Sequence, residues 1–357
     1  MTTLAWLASS PRFPTCVSSQ EVFMSLLSSK STVLGAALLL AAVPAHAEKS
    51  FKLDNAMQYA PTATIGVANQ HFADLVREKT KGTVDITCHF GGALGYTSRE
   101  GYDAVEEGGV DMTSFAFDNL VGLHPVYNVH SLPFVARTFD EAWVLYQVAR
   151  PYHDKALKEA NQILLMSAPW SPWGLWAKHP IKKYEDIKGL KMRTPDSTSV
   201  EVFKAVNAAP VRLSWGEVAP GLSTNAIEGV LTADESGVVG KFWEFGVNVF
   251  NAFGYTEPVS GTTININVWE SLSDSQRQAM IEAGKEAEAA AWKAAVERQK
   301  KNVQTLEAAG GTFFTDLPED LIADLRKAGQ GVVDKWLKDM GGDGEKILAK
   351  YNEMKKK

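Results

Sequence analysis

The sequence predicts an α/β protein with two lobes, a ligand cleft between the lobes and a long helix that braces both. Two observations lead to this fold class. Strand-like and helix-like patterns alternate along most of the chain, which is typical of parallel sheets covered by helices. Near the C-terminus one helical pattern runs for about 36 residues, or roughly 54 Å at 1.5 Å per residue, which is longer than one lobe is wide.

The composition is that of an ordinary globular protein with room for about two domains. The chain has 357 residues, of which 45% are hydrophobic and 22% are charged. Its net charge of -6 argues against nucleic acid as a partner, because nucleic-acid binding needs a basic surface. The two cysteines exclude a disulfide framework and a zinc site built from several thiolates.

The N-terminal residues show the pattern of a secretory signal peptide. From Met24 there is one cation, Lys30, then an apolar run over Val33–Val43 and an Ala-His-Ala ending at Ala47. The apolar run of roughly 11 residues is too short for a stable bilayer anchor. We therefore expect residues 1–47 to form the signal region, with the true start at Met24 and cleavage after Ala47. The remaining chain is expected to lie in the periplasm without spanning the membrane.

Residues 48–168 are expected to form mainly the first lobe, because their patterns begin in the order βαβαβ. The second helix is expected to take Ser98 as its N-cap. The expected strands are Phe51–Tyr59, Thr83–Phe90, Val110–Phe117 and Ile163–Ala168, and the expected helices are Ile65–Lys79, Ser98–Gly108 and Asp140–Ala160.

Residues 169–268 are expected to form mainly the second lobe, because the same alternation of strands and helices repeats there. The expected strands are Ile187–Arg193, Val211–Ser214, Gly229–Thr232, Asn248–Tyr255 and Thr262–Val268, and the expected helices are Ser197–Val206 and Gly216–Thr224. Residues 269–357 are expected to hold the bracing helix over Ser273–Ala309 and two C-terminal helices that pack on both lobes. A Ser273-x-x-Gln276 capping box marks the start of the bracing helix.

The sequence contains no recognisable catalytic signature. It has no phosphate-binding glycine loop, no nucleophile elbow, no His-Glu-x-x-His zinc motif and no Cys-x-x-Cys pair. The histidines are scattered without an i, i+4 pair, so no metal site and no cofactor are expected. Together with export and two lobes, this favours a protein that binds a ligand between its lobes over an enzyme.

Several motifs, in order, resemble one family. These are Asp186–Pro195 (DIKGLKMRTP), Thr224–Gly229 (TNAIEG), Ser131–Phe134 (SLPF) and Trp269–Leu272 (WESL). They are similar to landmarks of the extracytoplasmic solute-binding proteins of tripartite ATP-independent periplasmic (TRAP) transporters, the DctP-like family. The resemblance covers about Ala56 to Asp339, which is nearly all of the expected mature chain.

The resemblance implies a two-lobed periplasmic-binding-protein fold that closes on a small organic acid, a carboxylate or a sulfonate. It also implies delivery of that anion to membrane permease subunits driven by an ion gradient. By this resemblance Arg193 pairs with the carboxylate, and a guanidinium suits that role as a rigid two-pronged donor. Asn225 corresponds to an asparagine that contacts ligand in relatives, although an asparagine at a helix end also serves as a structural cap.

The chain departs from the sialic-acid-binding members where those carry a second arginine. Its sequence there is PWSPWGLW, which includes Trp170 and Trp173. Tryptophans in a cleft supply apolar walls, stacking faces or cation-π partners, whereas tryptophans between lobes are simply packed core. We expect Trp173 first, then Trp170, Trp215 and Phe117, to form walls of the ligand site.

Asp118 and Asn119 follow a predicted strand, at the edge where open α/β sheets gather ligand groups. Asn119 is expected to hydrogen-bond a hydroxyl or oxo group. Asp118 would repel an anion unless the ligand presents a donor there or a cation intervenes. Some relatives hold a metal ion beside the ligand, but their pattern is not evident here, and Asp234 with Glu235 is only a faint match.

Two other function classes remain open from the sequence. An exported enzyme on the same scaffold would need a nucleophile or base that faces the cleft, and the sequence nominates none. A sensory receptor would pass the ligand-closed lobes to a membrane kinase instead of a permease. Neighbouring genes would separate sensing from transport.

Overall fold

The computed structural model describes residues 48–356, and the predicted signal region at residues 1–47 lies outside them. Within the described range the strands are β1 (Phe51–Met57), β2 (Val84–His89), β3 (Met112–Ala116), β4 (Gln162–Pro169), β5 (Trp173–Ala177), β6 (Lys191–Thr194), β7 (Ala209–Arg212), β8 (Gly229–Ala233), β9 (Val249–Asn251), β10 (Val259–Asn265) and β11 (Thr312–Phe314).

The helices alternate with these strands through most of the chain. They are α1 (Thr64–Lys79), α2 (Ser98–Glu107), α3 (Phe139–Glu159), α4 (Ser197–Ala205), α5 (Trp215–Ser223), α6 (Asp234–Val239), α7 (Ile266–Ser271), α8 (Asp274–Ala308), α9 (Glu319–Met340) and α10 (Gly342–Met354). The predicted α/β class with two sheets is confirmed. No helix within residues 48–356 combines the length and the apolarity needed to cross a membrane.

The first sheet has the strand order β2-β1-β3-β10-β4. β1 pairs in parallel with β2 and with β3, as the βαβαβ pattern predicts. The sheet is nevertheless mixed, because β10 inserts between β3 and β4 and runs antiparallel to both. β10 also begins earlier than the strand expected at Thr262–Val268. The lobe boundaries stay a prediction, but residues 169–268 contain one strand of the first sheet.

The second sheet has the order β11-β9-β5-β8-β6-β7. Its parallel part joins β6 to β7 and to β8, and β5 runs antiparallel to β8 and β9. The sequence did not predict β5, because its five residues (WGLWA) are all buried and therefore show no alternation of apolar and polar residues. Gly174 is required in β5, since a Cβ there would lie 2.4 Å from the carbonyl oxygen of Asn251.

Helix α8 spans both sheets, as predicted. It has 35 residues, and Ser273 with Gln276 forms the capping box that the sequence indicated. In its first half, Gly284 packs so closely on β4 that a Cβ would lie 2.4 Å from the carbonyl oxygen of Leu165. In its second half, Leu306 joins the core cluster that contains Trp176 of β5. One rigid element therefore contacts the cores of both sheets.

Two details at helix ends refine the predictions. The N-cap of α2 is Thr97 and not Ser98, because the Thr97 hydroxyl accepts from the Glu100 N–H and the Glu100 carboxylate accepts from the Thr97 N–H. Ser98 is freed to donate its hydroxyl to the hydroxyl of Tyr59 at 3.2 Å. The two expected C-terminal helices are α9 and α10, which meet at Gly341.

A pair of neutral histidines lies in the core of the first sheet. The Nε2 atoms of His130 and His153 are 3.0 Å apart, and both side chains are at most 1% exposed. Phe117 stacks on His153 with ring centroids 4.2 Å apart. Burial lowers the pKa of His130 to about 3 and the pKa of His153 well below its usual value. Both imidazoles are therefore neutral in the folded state at neutral pH.

These histidines make the protein sensitive to acid. An unfolded histidine takes up a proton near pH 6.5, whereas folded His130 does not until about pH 3, so folded-state stability falls as the pH drops below 6.5. We expect His130→Gln to reduce the loss of unfolding free energy between pH 7.5 and pH 5 by about 2 kcal/mol. Urea denaturation of both proteins at the two pH values measures this difference. An equal loss in both proteins would contradict it.

Candidate functional site

One pocket lies where strand ends of the two sheets meet. From the first sheet it receives residues that follow the carboxyl ends of β1, β3 and β4, and from the second sheet residues at the ends of β6 and β8. Its cavity volume is about 70 Å³. The lining residues are Gln58, Tyr59, Ala60, Ala63, Ala116, Asp118, Asn119, Trp170, Trp173, Arg193, Pro195, Trp215, Thr232, Glu235, Ser236, Val239 and Pro258.

Arg193 is the basic residue of the pocket lining. It lies on β6 and is only 5% exposed. Its Nε donates to the carbonyl oxygen of Leu213 at 3.0 Å and its Nη1 to that of Leu231 at 3.3 Å, so the backbone just after β7 and the backbone of β8 fix the guanidinium. Among residues 48–356 it forms no salt bridge. Burial lowers the pKa of Arg193 to about 10, and Asp118 and Asp196 oppose that shift, so the group is a cation at neutral pH.

Asp118 and Asn119 line the opposite side of the pocket, on the turn that follows β3. The Asn119 amide donates to Oδ2 of Asp118 at 2.8 Å, and the Asn119 carbonyl accepts from Nε2 of Gln58 at 3.1 Å. Burial raises the pKa of Asp118 to about 7, with Asp196 adding to the rise and Arg193 opposing it. The prediction that this strand end contributes polar groups to the site is consistent with this geometry.

Aromatic rings form much of the remaining lining. Tyr59 and Trp170 meet edge to face with centroids 5.2 Å apart, and both are at least nine-tenths buried. Trp173 begins β5 and is 5% exposed. The ring of Trp215 lies 6.0 Å from the guanidinium carbon of Arg193. The structure therefore brings three of the predicted tryptophans to one pocket with Arg193.

Glu235 joins the two sheets beside the pocket. It lies on α6, after β8, and is 1% exposed. Its carboxylate accepts from the N–H and the hydroxyl of Thr64, both at 2.7 Å, at the start of α1. Arg298 of α8 donates to the same carboxylate at 2.6 Å. Glu235, which follows β8 of the second sheet, is thus held by α1 and α8, and α1 packs on the first sheet.

Two predicted site residues are not brought to this pocket. Phe117 is fully buried behind it, because its ring stacks on His153 while the two residues that follow it face the pocket. Asn225 is exposed after the end of α5, at a φ of 54°, and accepts from Nζ of Lys178 at 2.8 Å. Neither side chain lines the pocket, and a ligand contact of Phe117 or Asn225 stays a prediction.

Several pocket residues were not among the predicted site residues. Gln58 and Tyr59 follow β1, and Thr232, Glu235 and Ser236 follow or end β8. Their place at or after the carboxyl ends of parallel strands is the sequence signal that points to them.

The faint metal match at Asp234 and Glu235 has another role in the structure. Oδ1 of Asp234 accepts from the Glu235 N–H at 2.6 Å, and burial raises the pKa of Asp234 to about 7. Glu235 is occupied by Thr64 and Arg298. Within residues 48–356 no group of three His, Cys, Asp or Glu side chains is placed to hold a metal ion.

Comparison with known proteins gives a family. Residues 56–339 match the model of the bacterial extracellular solute-binding proteins, family 7 (DctP). This chain belongs to that family. It is also 27% identical over 291 residues to the 2,3-diketo-L-gulonate-binding periplasmic protein YiaO of Escherichia coli strain K12, covering 81% of this chain and 87% of YiaO. The resemblance found in the sequence motifs is thereby confirmed.

Solved structures of this family share the fold. DctP7 of Bordetella pertussis, an extracytoplasmic solute receptor that binds pyroglutamic acid, superposes with a TM-score of 0.81 at 25% identity and covers 85% of this chain and 100% of its own. A TRAP periplasmic solute-binding protein from Ralstonia eutropha H16 with bound acetolactate gives 0.75 at 26% identity and covers 85% and 99%. The two-lobed periplasmic-binding-protein fold predicted from the sequence is confirmed.

The Glu235 contacts predict a measurable contribution to stability. We expect Glu235→Ala to lower the free energy of unfolding by about 3 kcal/mol, because it leaves Arg298 and the Thr64 donors without their buried acceptor. Glu244→Ala, which removes an exposed ion pair with Lys241 in the same half, should cost about 0.5 kcal/mol or less. Urea denaturation of the two variants without ligand checks this, and equal small losses would contradict it.

Proposed function

We propose that this chain is the periplasmic receptor of a TRAP transporter, that it binds a small organic-acid anion, and that it delivers the anion to the membrane permease. The observation that carries the proposal is the state of Arg193. A buried cation costs several kcal/mol unless an anion accompanies it, yet the only hydrogen-bond partners of Arg193 within residues 48–356 are two carbonyl oxygens. A ligand carboxylate supplies the missing charge.

The geometry of the guanidinium supports one anchoring contact. Nε and Nη1 are used by the carbonyl oxygens of Leu213 and Leu231, whereas Nη2 donates to no acceptor among the described residues. Two backbone carbonyl groups thus hold the guanidinium in place and leave donor capacity at the pocket. Fixing the guanidinium in advance reduces the entropy lost when the anion binds.

The size and the walls of the pocket favour a compact acid. At roughly 10–15 Å³ per water-sized group, a cavity of about 70 Å³ takes about five to seven such groups. Tyr59, Trp170, Trp173 and Trp215 contribute aromatic side chains to the lining. We therefore favour a carboxylate with a small or flat body over a large sugar acid. The ligands named for YiaO, for DctP7 and for the Ralstonia protein are all carboxylic acids.

The cell compartment and the partner follow from the family. Its members act outside the cytoplasm, which agrees with the signal pattern at residues 24–47. Delivery to permease subunits is the role of TRAP receptors as a class. A catalytic role has less support, since the family and the relatives named above are solute-binding proteins.

Titration calorimetry of the chain from residue 48 onward tests the anchor. The acids are pyroglutamate, acetolactate, diketogulonate and lactate. We expect at least one to bind, and we expect Arg193→Ala to weaken that binding by about 2 to 5 kcal/mol, which is at least roughly thirtyfold in Kd. Arg212→Ala, which removes an exposed arginine one strand away, should leave the affinity unchanged.

Two outcomes would refute the proposal. One is the absence of binding to any carboxylate or sulfonate while a neutral or cationic solute binds. The other is binding of an acid with the same Kd in Arg193→Ala and in the unmodified protein. Circular dichroism of both variants establishes that they are folded.

A further inference from the structure

Asp118 has a carboxylate oxygen in the pocket that receives no hydrogen bond from the described residues. The residue is 4% exposed and lines the pocket beside Asn119. Its Oδ2 accepts from the Asn119 amide at 2.8 Å, but its Oδ1 is buried and has no hydrogen-bond partner among the described residues. A buried carboxylate oxygen without a donor is costly, so this atom calls for a partner from outside the chain.

The other acceptors around the pocket are already occupied. Glu235 accepts from Thr64 and from Arg298. The side-chain carbonyl of Asn119 accepts from Gln58 at 3.1 Å and from the Tyr59 hydroxyl at 3.4 Å. Oδ1 of Asp118 is thus the one pocket-lining side-chain acceptor, within the described residues, that is fully buried and lacks a donor.

Asp118 and Arg193 stand on different sheets and do not bond to each other. Asp118 follows β3 of the first sheet and Arg193 lies on β6 of the second, and both line the same cavity. No salt bridge joins them, although each influences the pKa of the other. The pocket therefore offers a ligand two groups, the guanidinium of Arg193 as a donor and Oδ1 of Asp118 as an acceptor.

We propose that Asp118 selects acids that carry an N–H or O–H donor next to the carboxylate, such as lactam, hydroxy and amino acids. This inference rests on the proposed function, in which Arg193 holds the carboxylate. The ligand would then satisfy both pocket groups, its carboxylate on Arg193 and its donor on Oδ1 of Asp118. A simple carboxylate without a donor leaves Oδ1 unpaired, and sites built to hydrogen-bond a ligand donor discriminate strongly against such analogues.

Two other arrangements at Asp118 make different predictions. A protonated Asp118 would itself donate to the ligand, so affinity would fall as the pH rises and a ligand donor would not matter. A cation bridging Asp118 to the ligand would make binding sensitive to a chelator. The titratable groups that act on Asp118 are Arg193, Asp196 and Tyr59, and all three are buried.

Matched ligand pairs test the proposal. The first pair is pyroglutamate and the lactone in which oxygen replaces the ring N–H, and the second is lactate and its O-methyl ether. A third pair is acetolactate and its O-methyl ether. We expect the donor-bearing member of any pair that binds to bind at least about tenfold more tightly than its partner in calorimetry at pH 8 with EDTA present.

Variants at Asp118 connect this preference to the residue. In Asp118→Leu, which keeps the approximate size but removes both oxygens, we expect the ratio within a pair to fall to about one while the dependence on Arg193 persists. Asp118→Asn retains a carbonyl acceptor and should keep part of the preference. Thermal unfolding of the two variants identifies any loss of folding, and the Asn variant decides the result if the Leu variant does not fold.

Each outcome has a separate meaning. Equal affinity within every pair, with binding that still depends on Arg193, overturns the role of Asp118 and leaves the proposed function standing. A ratio that persists in Asp118→Leu overturns it as well. Affinity that falls about tenfold per pH unit above pH 7 without a donor preference identifies a protonated Asp118, and loss of binding in EDTA identifies a bridging cation. If no acid binds at all, the proposed function and this inference fail together.

Discussion

The two sheets are aligned by one pair of chain segments, and the rest of the site depends on that alignment. Residues 170–173 carry the chain from the first sheet to the second, and residues 255–258 carry it back. Hydrogen bonds of 2.9 Å from the Trp170 N–H to the Pro258 carbonyl and of 2.8 Å from the Trp173 N–H to the Thr256 carbonyl pair the two segments. Because both crossings are tied together, the carboxyl ends of β1, β3, β4, β6 and β8 meet at one pocket.

The pocket that results brings together three buried ionisable side chains. Arg193, Asp118 and Glu235 are each at least 95% buried. Glu235 is neutralised within the protein by Arg298 and bridges the two halves, so it contributes to stability. Arg193 and Asp118 form no salt bridge with each other or with another side chain among the described residues, so both remain available to a ligand. The pocket therefore holds one carboxylate that is satisfied within the protein and, under the proposed function, two groups that a ligand satisfies.

The sequence predicted part of the pocket lining but not all of it. Arg193, Trp170, Trp173, Trp215 and Asn119 all reach the pocket. Phe117 does not, since its ring is fully buried and stacks on His153 in the core. Asn225 matches a motif in the chain, but its position after α5 leaves it at the surface. The contacts of Glu235 could not be predicted from the sequence, because its partners, Thr64 and Arg298, are 171 and 63 residues away in the chain.

The sequence by itself determined the local elements, the bracing helix and the family. Helix periodicity, the Ser273 capping box and the order of the motifs are local or ordered along the chain, so they can be read without contacts. Only the tertiary structure decided that β10 inserts between β3 and β4, that β5 is a central strand, and that Asp118 faces Arg193 across one cavity. Those features depend on contacts between residues that are distant in the sequence, and burial of a polar atom exists only after the chain has folded around it.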